Sequence, residues 1–172
     1  VTFVLSVVNE RHLPDEEILD AIRSAEEEML ENGIVAVGDI CNNLLTIPQK
    51  SKKNLLYHNF IEASGYPPAL ARSRFERSLE FLTEFGKTGP ASMVPHAPYS
   101  VSDELFEMII DLPGNDPLSI HNQETPGEDE WMFKKTGELQ ELYDHLKIDT
   151  AHFIPRDHSG LKHFVSGTRA NQ

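Results

Sequence analysis

The chain has 172 residues, of which 39% are hydrophobic and 25% charged, so it holds enough apolar material for one packed core. Its formal net charge of −13 argues against nucleic acids and anionic membranes as partners, because most of the surface would repel them. No apolar run approaches the roughly 20 residues of a membrane span, and a single cysteine allows no internal disulfide. We therefore expect one domain over residues 1–172 of a soluble, cytoplasmic protein.

Helical and strand-like segments alternate along the chain. The first predicted helix opens at Leu13–Glu17, where a proline and acidic residues suit the free N–H groups of a first turn, and it stops at Asn32-Gly33. Apolar periodicity predicts further helices over 69–85, 102–112 (capped by Ser102) and 128–146, the last interrupted near Gly137. Short apolar runs predict strands over 34–40, 55–62, 91–95 and 117–121.

This order of elements is typical of an α/β protein with a parallel sheet, because strands that are apolar along their whole length are buried by helices on both faces. A doubly wound open sheet and a (β/α)8 barrel both fit the order. No glycine-rich phosphate loop follows any predicted strand, which disfavours nucleotide binding of that kind.

Four consecutive predicted strands end in a polar residue: Asp39, Glu62, His96 and His121. In parallel α/β folds the carboxyl ends of the strands carry the working residues. Taken singly, Asp39 could cap a turn, Glu62 is more simply a surface carboxylate, and a lone histidine is more often structural than a ligand. Four in succession favour a site at this edge of the sheet.

The segment Ser119–Thr125 places His121 at the end of a predicted strand and Glu124 three residues later, so that both side chains face one mouth. Neutral imidazole is a good ligand for Zn²⁺ or Fe²⁺. A nearby carboxylate that does not bind the metal can move protons between water and a leaving group. The segment Pro95–Ser102 holds His96 between two prolines that stiffen the backbone, which suits a histidine that contacts substrate.

Together, His-Ala-Pro-Tyr-Ser-Val-Ser at 96–102 and Ile-His-x-x-Glu-Thr at 120–125 resemble the metal-dependent amidohydrolase superfamily, in its branch of cytosine deaminase-like chlorohydrolases and aminohydrolases. The resemblance covers roughly residues 13–124. It implies a (β/α)8 barrel that hydrolyses a C–N or C–Cl bond of a small ring or amide substrate with metal-activated water. It implies that His121 is a metal ligand, Glu124 the catalytic acid and base, and His96 a substrate-binding residue, and it assigns no role to Asp39 or Glu62.

Other parts of the family pattern are missing. No His-x-His pair occurs, the strand-six histidine has no counterpart, and His152, His158 and His163 lie in a polar tail that is predicted to be a loop. A barrel of this kind needs about 250 residues. We therefore expect an internal piece of a barrel, roughly strands two to five, with Val1–Val8 in a helical insert after strand one. One ligand cannot hold a catalytic zinc or iron ion, so the separate chain is predicted to be inactive, with an incomplete or empty metal site.

Two alternatives stay open, a non-catalytic half-barrel module and a flavodoxin-like binding domain. A half-barrel would expose sheet edges, which predicts a homo-oligomer. Among the charged segments, the basic run at 50–53 is predicted to be a solvated loop. Arg72, Arg74 and Arg77 could bind an anionic substrate group, but an exposed helix side paired with Glu76 and Glu80 is the preferred interpretation.

Overall fold

The computed structural model describes residues 13–115, 117–157, 159–160, 162 and 164–165. Its helices and strands, in chain order, are α1 (Asp15–Glu31), β1 (Ala36–Cys41), α2 (Ile47–Lys50), β2 (Leu56–Ala63), a 3₁₀ turn (Pro68–Leu70), α3 (Ala71–Gly86), β3 (Ala91–Pro95), α4 (Asp103–Ile110), α5 (Pro126–Lys134) and α6 (Glu138–Leu146). The predicted insert at Val1–Val8 and the tail residues His158 and His163 lie outside the described residues. None of the helices in the described ranges is long and apolar enough to cross a membrane.

The three strands form one parallel sheet in the order β1-β2-β3, so that consecutive strands lie side by side. Asp39 pairs with Asn59, and Asn59 with Ala91, which fixes the register across the sheet. Helix α3 connects β2 to β3 and packs against both. The predicted α/β alternation is therefore confirmed, and the carboxyl ends of the three strands meet at one edge.

The prediction of a fourth strand at 117–121 is wrong, because these residues form no strand in the structure. The reason lies in Asn115, whose buried side chain accepts from Met93 N at 2.6 Å and donates to Met93 O at 2.8 Å. The amide thereby takes the two backbone groups of β3 that a neighbouring strand would use. The segment still runs beside β3, since His121 N donates to His96 O at 2.9 Å.

The sheet has a buried face against α3, where Cys41, Ile61 and Phe85 form one apolar cluster. Successive side chains along a strand point to opposite faces. Glu62, which follows Ile61, therefore projects away from α3. Burial raises the pKa of the Cys41 thiol to about 11, so this cysteine is a protonated core residue at neutral pH.

Asp39 does not join the other strand-end residues, contrary to the sequence expectation. It shares the α3 face with Cys41 and pairs with the ammonium group of Lys50, with Nζ 2.5 Å from Asp39 Oδ2. The same Nζ donates to Asn59 Oδ1 at 2.7 Å. The prediction of a solvated loop over 50–53 is therefore wrong for Lys50, whose side chain is 3% exposed. It is buried because these acceptors replace the water that the ammonium group would otherwise need.

A second buried charge, Glu26 on α1, is held by three side-chain donors. Tyr57 Oη donates to Oε2 at 2.7 Å, and Gln49 Nε2 and Asn54 Nδ2 each donate to Oε1 at 2.8 Å. Burial raises the pKa of Glu26, but the three hydrogen bonds together outweigh it, so the pKa lies below its usual 4.5. The carboxylate thereby ties α1 to α2, to the loop before β2 and to β2 itself.

Glu26→Gln is expected to make the free energy of unfolding less dependent on pH in the acid range. The folded pKa is depressed, so the wild-type carboxylate contributes stability above the unfolded pKa near 4.5 and loses it as the pH falls through the folded value. Urea unfolding at neutral pH and at stepwise lower pH measures this slope. Glu27→Gln, at an exposed neighbour on the same helix, is the control. Identical pH slopes for Glu26→Gln and wild type would contradict the assignment.

The C-terminal part of the described chain forms a helical layer beside the sheet. Gly137, with φ of +87°, separates α5 from α6, which confirms the predicted interruption. Trp131 and Tyr143, one from each helix, pack around Tyr66, and Trp131 Nε1 donates to Tyr66 Oη at 3.1 Å. Ser102 caps α4 as predicted, since its Oγ accepts from Leu105 N. The aromatic cluster therefore holds α5 and α6 over the turn that follows β2.

Candidate active site

Glu62, His96 and His121 converge at the carboxyl edge of the sheet. One ligand atom from each lies within 4.8 Å of the others. Glu62 occupies the penultimate position of β2, and His96 follows β3 directly. Two backbone bonds fix the order of the three segments: His96 N donates to Ala63 O at 3.0 Å, and His121 N donates to His96 O at 2.9 Å. The pairing of β2 with β3 and the bond from His121 to His96 thus bring together residues that are 34 and 25 positions apart in the sequence.

Glu62 is the member of this group to which the sequence assigned no role. Its side chain is only 15% exposed, and its Oε1 lies 3.4 Å from Nε2 of His121, which is 44% exposed. The sequence preferred a surface carboxylate at this position. The signal that points to a site is its place at the end of an apolar strand, on the face opposite Ile61.

His96 is hydrogen-bonded through its Nδ1 atom, which lies 2.5 Å from Ser100 Oγ. The Ser100 hydroxyl also lies 3.2 Å from Ala97 O. When the hydroxyl proton points to Ala97 O, Nδ1–H donates to Ser100 Oγ, and Nε2 is then the acceptor of the ring.

His96 is neutral at physiological pH. Burial lowers its pKa, and the neighbouring His121 ring acts in the same direction, while the carboxylates of Glu62 and Glu124 oppose them; the net pKa lies below the ordinary value. A neutral imidazole with a free Nε2 can accept a hydrogen bond or donate a lone pair to a cation.

Glu124 lies beside this group and is held through one of its two oxygens. Tyr99 Oη donates to Glu124 Oε2 at 2.5 Å. Burial raises the pKa of Tyr99, and its hydrogen bond to Glu124 raises it further, so the phenol stays protonated and remains a donor. Within the described ranges, Glu124 Oε1 has no hydrogen-bond partner. The free oxygen is therefore available to exchange a proton.

The buried carboxylate of Glu128 accepts hydrogen bonds from the backbone of the loop that carries Glu124. Glu124 N donates to Glu128 Oε2 at 3.2 Å, and the backbone N–H of Gln123 supplies a second bond. Gln123 adopts a positive φ of +53°, which turns the chain between His121 and Glu124. Burial raises the pKa of Glu128, and the two backbone donors only partly offset it. Neither Tyr99 nor Glu128 was singled out by the sequence, because their contacts depend on the tertiary fold.

A pocket of about 870 Å³ opens onto these residues. Glu62, His96, Tyr99 and Glu124 line one part of it, and side chains from α3 and α6 form other parts of the wall. A cavity of this size with convergent polar groups is typical of a site for a small molecule. Of the sequence-predicted site residues, the structure therefore brings His96, His121 and Glu124 to one place together with Glu62, and leaves Asp39 outside.

The donor set fits a divalent metal ion. Two imidazoles and one carboxylate are among the side chains that bind Zn²⁺ and Fe²⁺, and their ligand atoms are close enough to face a common ion. The neutral state of His96 leaves a nitrogen lone pair for such a role. The sequence predicted one metal ligand, His121, whereas the structure places three possible donor side chains together.

No protein-family model matches the chain, and no curated protein sequence matches it. Solved structures do. Aminofutalosine deaminase of Helicobacter pylori is similar with a TM-score of 0.70 and 25% identity, over 77% of this chain and 34% of that one. The same deaminase in complex with methylthio-coformycin gives 0.67 and 26%, over 76% and 33% of the two chains. The predicted resemblance to the metal-dependent amidohydrolase superfamily is confirmed.

A zinc-bound adenosine deaminase from Xanthomonas campestris shares the fold with a TM-score of 0.54 and 21% identity, over 84% of this chain and 35% of that one. The chain thus spans about a third of the length of these deaminases. The prediction of an α/β fold that forms part of a (β/α)8 barrel is also confirmed, with three parallel strands among the described residues.

Proposed function

We propose that this chain is the part of a metal-dependent deaminase that carries its proton-transfer carboxylate and part of its metal site. Residues 1–172 then form one partial barrel domain, and the substrate is a small molecule with an amino group on an unsaturated ring. The observation that carries the proposal is the convergence of Glu62, His96 and His121 beside Glu124. The fold shared with two deaminases supports the same reaction class.

In this proposal His121 would hold a divalent metal ion, and Glu62 would be the nearest further donor, while His96 keeps its Nε2 for the substrate. A divalent metal ion, when bound, supplies a Lewis acid that lowers the pKa of water to near neutrality. The remaining chemistry belongs to the side chains. Their arrangement is built into the strand ends and the 121–125 loop, which suits residues that must keep a fixed geometry.

Glu124 moves the proton. Its Oε2 is fixed by Tyr99, so Oε1 is the oxygen that takes a proton from the attacking water and returns it to the departing amine. Neutral His96 offers Nε2 as an acceptor for a donor group of the substrate. The buried Glu128 keeps the backbone of Glu124 in place and thereby sets the position of Oε1.

Zinc titration tests the metal site without requiring turnover. In calorimetry with ZnCl₂, wild-type chain is expected to bind, and His121→Ala to bind at least about tenfold more weakly, because imidazole is the donor that Zn²⁺ prefers here. His152→Ala is the matched control, since His152 is an exposed loop histidine outside the group. Equal zinc affinity of wild type and His121→Ala would contradict the proposed metal site.

A further inference from the structure

Two arginines of α3 line the same pocket as the proposed reaction centre. Arg74 and Arg77 lie one turn apart on this helix, and both contribute to the wall that also includes Glu62 and Glu124. The protein carries a net charge of −13, so its overall field repels anions. Beside the carboxylates Glu62, Glu124 and Glu138, these two guanidinium groups are the cations of the pocket wall.

The local backbone makes room for Arg74. A Cβ at Gly65 would lie 2.9 Å from Arg74 Cγ, closer than real Cβ contacts, and 3.2 Å from Leu105 Cδ2, which is a tight contact. Glycine at this buried position lets the stem of Arg74 pass directly over the turn after β2. Arg77 is placed by its own helix, with its guanidinium carbon 5.4 Å from the ring centre of Phe81, another residue of the pocket wall.

Within the described residues, Arg74 and Arg77 have no ion-pair partner, and Arg77 contacts only the ring of Phe81. Arg72 pairs with Glu76 at 2.6 Å, as the sequence predicted for this helix side. In the described part of the chain, no carboxylate lies within ion-pair distance of Arg74 or Arg77. Arg74 lies at the end of the first turn of α3, where a cation opposes the helix dipole.

We propose that Arg74 and Arg77 bind an anionic group of the substrate, a carboxylate or a phosphate, on a part of the molecule other than the reacting carbon. The inference rests on the proposed function, because it assigns the second recognition element of the same pocket. Guanidinium groups suit both anions, since their planar fork of N–H donors matches paired oxygens. A volume of about 870 Å³ leaves space for a group beyond a single ring.

The test compares the binding of four probes to the full chain by calorimetry at low salt: adenosine, adenosine 5′-monophosphate, adenosine-5′-carboxylic acid and ribose 5-phosphate. Wild type is expected to bind the two anionic nucleosides at least about tenfold more tightly than adenosine. Arg74→Gln/Arg77→Gln is expected to erase this preference. Arg72→Gln, on the same helix but paired with Glu76, is the control that keeps it.

The outcomes separate the two proposals. If adenosine binds and the anionic nucleosides gain nothing, or if the double variant keeps the preference, the arginine inference is overturned while the proposed function stands. If ribose 5-phosphate binds and loses affinity in the double variant while adenosine does not bind, the arginine site is supported and the aminopurine substrate class fails. A preference for the phosphate or for the carboxylate identifies which anion the site takes. Binding of none of the four overturns both.

Discussion

Glu124→Gln is expected to lower the rate of deamination by about 10²–10⁴-fold, the usual contribution of a general acid and base. The amide is close to the carboxylate in size and can still accept the hydrogen bond of Tyr99, but it cannot take a proton at Oε1. Under the proposed function, the effect is measured as ammonia release from adenosine by a zinc-loaded protein in which this chain is joined to the rest of the barrel. Zinc affinity should stay at the wild-type value, because Glu124 lies outside the group of metal donors.

Glu141→Gln is the control for this variant, since Glu141 is an exposed carboxylate on α6 that does not line the pocket. A Glu124→Gln protein that keeps more than about a tenth of the wild-type rate would contradict the role, because that loss is smaller than proton transfer supplies. A matching loss of zinc binding would instead show that Glu124 acts as a ligand.

Asp39→Ala is expected to lower the free energy of unfolding by about 3 kcal/mol. The substitution leaves the ammonium group of Lys50 buried with neutral acceptors alone. Breaking a buried ion pair costs about 3–5 kcal/mol, and the lower end applies because Asp39 is one-third exposed and Asn59 still accepts from Nζ. Urea unfolding of wild type and variant measures the difference.

The double variant Asp39→Ala/Lys50→Met separates loss of the pair from loss of the charge. Methionine fills a similar volume beside the ring of Phe85 without an ammonium group to satisfy, so the double variant should be more stable than Asp39→Ala alone. Lys52→Met, at an exposed lysine of the same basic run, should shift stability by less than about 0.5 kcal/mol. An Asp39→Ala protein within about 1 kcal/mol of wild type would contradict the buried pair.

Local patterns were enough for most of the fold. The strands at 34–40, 55–62 and 91–95 were predicted within two residues of β1, β2 and β3, because short apolar runs between turn residues leave few other choices. The prediction of a fourth strand at 117–121 was wrong for a reason that hydrophobic periodicity cannot show. One side chain, Asn115, bonds to the backbone of β3 from 22 residues away, and a sequence pattern does not show that competition.

The residues of the candidate site also differ in how far the sequence could predict them. His121 and Glu124 are close in sequence, so their motif could be read directly, whereas Glu62 reaches His121 only through the pairing of two parallel strands. The register of the sheet explains why Asp39 does not join the candidate site. The register places it opposite Asn59, three residues or about 10 Å short of the level of Glu62. A sequence shows that a polar residue is near a strand end, but register decides whether it reaches the edge.

The amide of Asn115 also has a consequence for self-association. A parallel sheet can extend into a ribbon of many copies only if the outer edge of its last strand accepts the first strand of the next molecule. On the β3 edge the N–H and C=O of Met93 are already bonded to Asn115. A second copy that pairs along the β3 edge would have to displace this amide from Met93. We therefore expect association through the β3 edge to be disfavoured.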